Sequence, residues 1–446
     1  MYYSRWATEK EVSEKTETLD PKSQIKQSGI VLGHEKNKIN VLKDFSNTLV
    51  IGLTGSGKTQ AVTLPLIRLS IKAGETFVVN DSNGELYQMF AKKLKSEGYV
   101  VSLIDVDKPK YGGNFNPLTL PYYLYKNGEK DKSIELIEEI GRYIVYDRKY
   151  KDADPFWENS ALNYFTGLTL YLFENAKESE INLNSVAALA NSINVKDGSK
   201  DFLEKLDKNS TIYKYLLGIL AAPPETKGSI IAVFNQKINV FISKEYLSEM
   251  LSKTSFDITN IGNTKQAIFI KGGITGISDY IIPMIISEIF TSIDIYGKKE
   301  KKINIILDDF DNINPIYNFS RLINASRSMK VSFTVMVSGE TSILKKYGEE
   351  QLSIMKLCFR EIIYLLSEDV RTLNDICSMC GKAKEKEDLI SIEELKRLDY
   401  FEAIVIMVRM MPIRTKLLPD YKIDWGYTLE KEEFEERKLD KIEIFE

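Results

Sequence analysis

A glycine-rich segment that ends in a lysine and a threonine is the part of the chain best suited to bind phosphate. Residues 52–59 read Gly-Leu-Thr-Gly-Ser-Gly-Lys-Thr and match GxxxxGK[ST] at every position. Glycines let the backbone curl so that several N–H groups point inward and form an anion site. We expect Lys58 to reach the β- and γ-phosphates of ATP and Thr59 to offer its hydroxyl to Mg²⁺. The nucleotide-binding residues predicted here are Gly52, Thr54, Gly55, Ser56, Gly57, Lys58, Thr59 and Gln60.

A pair of aspartates supplies the second half of the expected chemistry. Asp308 and Asp309 follow the apolar run Ile303–Leu307. Asp308 is expected to join Thr59 in holding Mg²⁺ through its water shell. Asp309 is the candidate that orients or deprotonates the attacking water. The alternative is a solvated acidic turn, since Asp311 follows closely.

Apolar runs around these polar segments predict the elements that position them. The run at 48–53 predicts a buried strand before the glycines, and 61–71 predicts a helix after them. This context favours a phosphate site over a glycine-rich turn that fits the pattern by chance. Further strands are predicted at 76–80, 99–104, 267–271, 303–307, 331–337 and 361–366. Because helices alternate with these strands, we expect an α/β fold with a mainly parallel sheet covered on both faces.

A long helical stretch interrupts this alternation and predicts an inserted all-α domain. The resulting division has a first part of the nucleotide-binding domain at 1–118, the all-α domain at 119–240 and a second part of the nucleotide-binding domain at 241–420. Residues 421–446 form an acidic C-terminal tail with nine acidic and five basic side chains. Its default interpretation is a solvated, frayed end.

Composition limits the classes of function. The net charge of −4 gives no general bias toward nucleic acid, so a DNA-binding surface must be a local patch. Three cysteines are too few for a disulfide framework, which indicates an intracellular protein. The N-terminus has no apolar signal segment, and no run of about 18 apolar residues occurs. We therefore expect a cytoplasmic protein.

Two short motifs keep alternatives open. The basic cluster Lys298–Lys302 precedes the strand at 303–307, where a solvated surface is favoured over a contact with a phosphate backbone. Cys377 and Cys380 have the spacing of zinc ligands, but a helix that buries both is favoured over a metal site.

Motifs in a fixed order resemble the TraG/TraD-like coupling proteins of type IV secretion and conjugative DNA transfer. The resemblance covers nearly the whole chain. Arg327 falls on the arginine that the family carries before its next strand. The other matching segments are Ser4–Glu11, Gly52–Gln60, Asn80–Tyr87, Asn114–Leu118, Asp154–Trp157, Pro224–Ser229, Ser255–Ile258 and Asp308–Phe310.

The resemblance implies a RecA-like nucleotide-binding domain with an inserted all-α domain. It also implies a homo-hexameric ring with ATP at the subunit interfaces and a pore that handles DNA, expected to be single-stranded. The implied partners are a relaxase or other secreted substrate and the proteins of a type IV secretion channel. Arg327 is then a candidate catalytic arginine that reaches a neighbour's γ-phosphate, and its alternative is a plain surface arginine.

Three departures from the family pattern bear on function. Asp309 stands where the family usually has Glu, Ser338 stands where it has Gln, and the family's N-terminal membrane helices are absent. Membrane attachment, if any, would then come through partners at the inner face of the plasma membrane. The first hypothesis is an ATP-driven DNA or relaxase–DNA translocase. Its rivals are a nucleotide-gated receptor with little hydrolysis and an FtsK-like motor for double-stranded DNA.

Overall fold

Residues 3–43, 46–146, 154–194, 198–297, 300–385 and 387–445 are described in the computed structural model of the protein. They form two units. The first unit comprises Met1–Leu103, Asn260–Gly273 and Ile293–Glu433, and the second comprises Ile104–Thr259, Ile274–Ser292 and Phe434–Glu446. The strands are β1 Thr16–Leu19, β2 Val31–Glu35, β3 Lys38–Leu42, β4 Asn47–Gly52, β5 Thr76–Asn80, β6 Val100–Asp105, β7 Gln266–Lys271, β8 Ile303–Leu307, β9 Val331–Val337, β10 Phe359–Leu366, β11 Lys382–Lys384, β12 Glu387–Asp388, β13 Glu402–Met407 and β14 Ile413–Lys416.

Helices cover the remaining regular structure of the described residues. A π-helical turn at Thr59–Thr63 leads directly into α2. The helices are α1 Glu9–Lys15, α2 Leu64–Ala73, α3 Glu85–Ser96, α4 Thr119–Lys126, α5 Lys130–Val145, α6 Pro155–Asn175, α7 Leu183–Asn194, α8 Gly198–Lys205, α9 Thr211–Leu220, α10 Pro224–Ile242, α11 Glu245–Met250, α12 Ser278–Tyr296, α13 Phe319–Ser326, α14 Glu340–Cys358, α15 Val370–Cys380 and α16 Ile392–Leu395.

The main sheet has nine strands in the order β14-β13-β10-β4-β9-β8-β5-β7-β6. The strands from β10 to β7 in this order pair in parallel, while β13 and β14 pair antiparallel at one edge. Every residue of β4, β5, β8 and β9 is buried, as expected for parallel strands with both faces covered. The prediction of an α/β fold with a mainly parallel sheet is confirmed.

The order of the central strands decides where polar residues meet. Strand β9 lies between β4 and β8, and all three run in the same direction. The segments that follow β4 and β8 therefore emerge at the same edge of the sheet, about 10 Å apart at the usual strand spacing. The sheet thus brings residue 52 and residue 308 to one edge, although 256 positions separate them in the sequence.

The second unit is built mainly of helices. Among the described residues, no strand lies between Leu118 and Gln266. The local sequence explains where α6 begins, because the Asp154 side chain accepts a hydrogen bond from the Phe156 amide (2.9 Å) and Pro155 occupies the first turn. This unit also includes residues 104–118 and 241–259, so it is wider than the predicted insertion at 119–240.

The C-terminal segment does not have the frayed form expected from its charge. Described residues after 427 form no helix or strand, yet several of their backbone groups are hydrogen-bonded to earlier parts of the chain. The Glu432 amide donates to the Gln88 carbonyl (2.7 Å), and the Arg437 amide donates to the Lys110 carbonyl (2.9 Å). The prediction of a frayed end is wrong because these backbone contacts hold the segment on the protein surface, whereas most of its described residues are exposed to solvent as predicted.

No single helix in the described part of the chain has the length and apolar composition needed to cross a membrane, although α9 and α10 pass that test together as a pair bent by 115°.

Candidate nucleotide-binding site

The glycine-rich segment forms a tight loop between β4 and the π-helical turn. Gly55 and Gly57 adopt φ angles of +83° and +93°, which side-chain-bearing residues rarely take. A side chain at Gly52 would lie 2.3 Å from the Ser56 hydroxyl oxygen, so only glycine permits this approach. Thr54 and Gly55 are exposed at the tip of the loop.

The loop has the features needed for a bound anion. The Ser56 Oγ atom is buried without a hydrogen-bond partner among the described residues. The Lys58 ammonium group is largely buried and donates to the carbonyls of Gly52 and Leu53. A phosphate would offer both groups a stronger, charged acceptor. Gln60 lies in the first turn after the loop, half-buried.

Thr59 and Asp308 meet at the carboxyl edge of the sheet. The Thr59 hydroxyl donates to Asp308 Oδ2 (3.0 Å), and the Thr63 hydroxyl donates to the same oxygen (3.2 Å). A hydroxyl and a carboxylate in contact are suitable ligands for Mg²⁺ and its water shell. The structure therefore brings together the two residues that the sequence assigned to the metal. The sequence pattern does not identify Thr63 as a partner of Asp308, although Thr63 lies one helical turn after Thr59.

The environment of Asp308 favours a bound cation. Burial raises the pKa of Asp308, and the nearby carboxylate of Asp309 raises it further, while hydrogen bonds from the two threonines and the charge of Lys58 act in the opposite direction. A divalent cation would remove the cost of keeping this carboxylate ionised.

Residues at the end of β5, the strand next to β8, form hydrogen bonds that fix the backbone around Asp308. The Asn80 side chain donates to the Asp308 carbonyl (3.0 Å). The Asp81 side chain accepts a hydrogen bond from the Tyr87 amide (2.8 Å), and burial raises the pKa of Asp81 to about 6. The segment Asn80–Tyr87 therefore caps α3 and fixes the backbone beside the metal ligand. Glu85 is exposed in the first turn of α3.

Asp309 has an unusual backbone conformation. Its φ and ψ angles are 54° and 43°, a left-handed conformation that is uncommon for residues other than glycine. Its amide donates to Asp308 Oδ1 (3.1 Å), and the residue is exposed at the carboxyl end of β8. Strain of this kind is frequent at functional sites.

Ser338 borders an open space beside the loop. Its amide donates to Asp311 Oδ2 (2.6 Å), and the Ser367 hydroxyl donates to its carbonyl (2.8 Å). A cavity of about 420 Å³ lies here, lined by Leu53, Asp311, Ser338, Gly339, Thr341, Ser342, Lys345, Lys346, Ser367 and Asp369. A serine at this position leaves room that a longer side chain would occupy.

Arg327 lies at the amino ends of the parallel strands, opposite to the carboxyl ends that carry the phosphate loop. It follows α13 directly and precedes the first residue of β9, so it sits at the amino ends of the strands, whereas the phosphate loop lies at their carboxyl ends. A strand of β9's length spans about 20 Å, so Arg327 does not reach the loop of its own chain. It lines a cavity of about 470 Å³ together with Lys26, Gln27, Glu75, Glu300, Lys301, Lys302, Lys330 and Arg360.

The structure agrees with the prediction for the two cysteines but not with the prediction for Lys302 of the basic cluster Lys298–Lys302. Lys302 is buried and donates to the Ser28 carbonyl (3.2 Å), so the interpretation as solvated surface is wrong for this residue. Lys298 and Lys299 lie outside the described residues. Cys377 and Cys380 are both buried on α15, as predicted, and burial raises the pKa of both thiols.

The arrangement defines a class of protein. A phosphate loop follows one central parallel strand, and an aspartate that contacts the loop threonine follows the strand two places away. This is the organisation of a P-loop NTPase with a RecA-like fold, and here it is joined to a largely helical second unit.

A family model described as type IV secretory system conjugative DNA transfer matches residues 5–399, and the chain belongs to this family. The fold is similar to the bacterial conjugative coupling protein TrwBdeltaN70 in complex with sulphate, with a TM-score of 0.68 and 13% identity over 98% of this chain and 96% of that chain. It is also similar to VirB4 of Thermoanaerobacter pseudethanolicus, with a TM-score of 0.56 and 12% identity over 90% of this chain and 100% of that chain.

A curated relative also matches over a shorter range. The uncharacterized ABC transporter ATP-binding protein YmeB of Lactococcus lactis subsp. lactis (strain IL1403) is 29% identical over 129 residues. This match covers 26% of this chain and about half of that protein (49%).

Proposed function

We propose that this protein is an ATP-driven coupling protein that delivers or translocates DNA, carried by a relaxase, to a type IV secretion channel. The observation that carries this proposal is the contact between Thr59 and Asp308 beside the phosphate loop, in a chain of the conjugative DNA transfer family. TrwB, whose fold is similar, has been solved in complex with ADP and Mg²⁺. The proposed ligand is therefore ATP with Mg²⁺, and the proposed site of action is the inner face of the membrane, reached through partners.

Each loop residue has a defined task in this proposal. The amides of residues 55–59 bind the phosphate oxygens, and Lys58 leaves the carbonyls of Gly52 and Leu53 to neutralise the β- and γ-phosphates. Thr59 and Asp308 would hold Mg²⁺, which would supply charge neutralisation for phosphoryl transfer. Asp309 takes the proton of the attacking water, since it is the exposed acid next to Asp308.

Arg327 completes the site in a neighbouring subunit of a homo-hexamer. Its position at the far edge of the sheet supports action in trans, because a chain cannot bring its own Arg327 to its own loop. The cavity that it lines carries Lys26, Lys330 and Arg360 and is suited to receive a polyanion. Supply of an arginine from a second subunit would couple hydrolysis to ring assembly.

A receptor with little turnover is the second candidate. The short side chain of Asp309 and the open cavity beside Ser338 favour it, because both remove groups that position the attacking water. In that case ATP binding would change the affinity for a substrate without rapid hydrolysis.

The test is ATP hydrolysis with and without single-stranded DNA, alongside ATP affinity by calorimetry. We expect single-stranded DNA to stimulate hydrolysis, Lys58→Ala to weaken ATP binding, and Asp309→Asn to stop hydrolysis while ATP still binds. Lys200→Ala, an exposed lysine on α8, is the matched control. Equal background rates in all proteins, with normal ATP binding, would favour the receptor. An absence of ATP binding by the wild type would refute both.

Complementation tests the role of Arg327. Arg327→Ala and Lys58→Ala rings are each expected to be inactive. A mixture of the two contains interfaces with an intact loop from one subunit and an intact arginine from the other, so hydrolysis is expected to return. A mixture that stays inactive, although mixed rings form, would contradict action in trans.

A further inference from the structure

Three aromatic residues, Tyr400, Phe401 and Tyr421, form a cluster beside the phosphate loop. The ring centroids of Tyr400 and Phe401 are 4.1 Å apart, and those of Phe401 and Tyr421 are 6.4 Å apart. Phe401 packs on the loop so closely that a side chain at Gly57 would lie 2.5 Å from its ring. Phe401 is buried, whereas Tyr400 and Tyr421 are 59% and 66% exposed. The cluster therefore presents two open rings next to the predicted phosphate site.

The backbone that carries Tyr400 and Phe401 is held in a costly conformation. Phe401 has a φ of +66°, which bulky residues rarely adopt. Its carbonyl accepts a hydrogen bond from the Leu417 amide (2.8 Å), which ties it to the segment before Tyr421. Such strain persists only where the surrounding structure enforces it, so the position of these rings is fixed rather than accidental.

The turn that carries Tyr421 is anchored to the helix that follows the loop. Asp420 makes two hydrogen bonds with Arg68 of α2, from Nε (2.6 Å) and from Nη2 (2.9 Å), and both side chains are buried. The turn Asp420–Lys422 packs against the π-helical turn Thr59–Thr63. The Tyr421 ring is thus held near the first residues after the phosphate loop.

The order of strands places this cluster on the side of the loop away from the acids. Strand β13, which starts directly after Phe401, lies beyond β10 on one side of β4. Asp308 and Asp309 follow β8, on the other side of β4. Because the acids mark the end of the site where the γ-phosphate lies, the rings lie toward the end where the nucleoside emerges.

We propose that Tyr400 and Tyr421 form a stacking platform for the base of the bound nucleotide, with Phe401 fixing the platform to the loop. This inference rests on the proposed binding of ATP. Aromatic rings stack on the π face that every base has, so a platform of this kind accepts purines without reading their edges. The site takes ATP and GTP with similar affinity.

The experiment compares the binding of ATP, GTP and inorganic tripolyphosphate by calorimetry, each with Mg²⁺. Tyr421→Ala and Tyr400→Ala are expected to raise the Kd for ATP and GTP by about 5-fold to about 100-fold, the range set by the loss of one stacked ring. The Kd for tripolyphosphate, which has no base, is expected to stay within about twofold. Tyr421→Phe keeps the ring and is expected to retain wild-type affinity.

Controls separate this inference from the proposed function. Tyr3→Ala, at an exposed tyrosine in the N-terminal segment, is expected to change nothing. Lys58→Ala is expected to weaken all three ligands. Unchanged ATP binding in both tyrosine-to-alanine variants, or an equal loss for ATP and tripolyphosphate, would overturn the platform but leave the phosphate site intact. A wild type that binds none of the three ligands would overturn the proposed function and the platform together.

Discussion

Replacement of Asp309 by glutamate is expected to accelerate ATP hydrolysis. Asp309 is exposed, and its side chain is one methylene shorter than that of the glutamate usual at this place in similar coupling proteins. The substitution extends the carboxylate by one carbon–carbon bond, about 1.5 Å. If Asp309 is the base, as proposed, this extension lets its carboxylate come closer to the attacking water.

The expected size of the rate increase follows from how strongly the rate depends on the position of a catalytic group. An error of about 1 Å in the position of a catalytic group costs on the order of 100-fold in rate. We therefore expect Asp309→Glu to raise kcat by between about 10-fold and about 100-fold, while KM for ATP changes by less than about threefold. The left-handed backbone of residue 309 suits Glu less well than Asp, so a loss of up to about 1–2 kcal/mol in unfolding free energy accompanies the gain.

The assay is steady-state hydrolysis of ATP over a range of ATP concentrations with saturating single-stranded DNA, together with thermal denaturation. Asp131→Glu adds the same methylene at an exposed position of α5 and controls for nonspecific effects. A rate for Asp309→Glu equal to the wild-type rate, with Asp309→Asn inactive, would show that aspartate already reaches the water. That result would refute the reasoning from side-chain length.

Three further perturbations concern the Arg68–Asp420 pair, the Glu288 side chain and the phosphate loop. Asp420→Ala leaves the Arg68 charge buried without its carboxylate and is expected to cost about 3–5 kcal/mol of unfolding free energy by urea denaturation; a cost below about 1 kcal/mol would contradict a buried pair. Burial raises the pKa of Glu288 well above its usual range, so the folded protein binds a proton here more tightly than the unfolded chain does. The stability that this proton contributes is complete below about pH 4.3, the pKa of glutamate in an unfolded chain, and is lost as the pH rises through the folded-state pKa. Glu288→Gln is therefore expected to gain stability relative to the wild type from pH 4.5 to pH 8, and an unchanged difference would refute this. Gly57→Ala, at a φ of +93° and against the Phe401 ring, is expected to abolish ATP binding measured by calorimetry; normal affinity would show that the loop tolerates a side chain there.

The parts of the fold that could be predicted from sequence are those whose signal is local. Each residue of β4, β8 and β9 is buried, and each strand is rich in branched or other apolar residues, which the sequence alone shows. That the phosphate loop and Asp308 lie at the same edge also follows from the sequence, because carboxyl ends of parallel strands share one edge of a sheet. The contact between Thr59 and Asp308 further requires the strand order, which places only β9 between β4 and β8.

The parts that could not be predicted depend on contacts between distant segments. Strands β13 and β14 pair antiparallel at the sheet edge, and nothing in their short sequences indicates a place beside β10, since edge pairing is set by tertiary packing. The position of Tyr421 near the loop depends on the Arg68–Asp420 pair, whose members are 352 residues apart. The C-terminal segment is charged, and its backbone hydrogen bonds to Gln88 and Lys110 have no signature in composition.

This difference between local and distant signals also explains how binding and turnover can diverge in this protein. The phosphate loop is one short segment whose glycines and lysine match the pattern at every position, so the groups expected to contact the phosphates come from neighbouring residues. In the proposed mechanism, turnover also requires Asp309 and the residue at 338, from two other strands, and Arg327 from a second chain. Substitutions at these positions are therefore expected to change the rate without removing the nucleotide site. On this reasoning, hydrolysis can be adjusted at residues 309 and 338 while the loop stays unchanged.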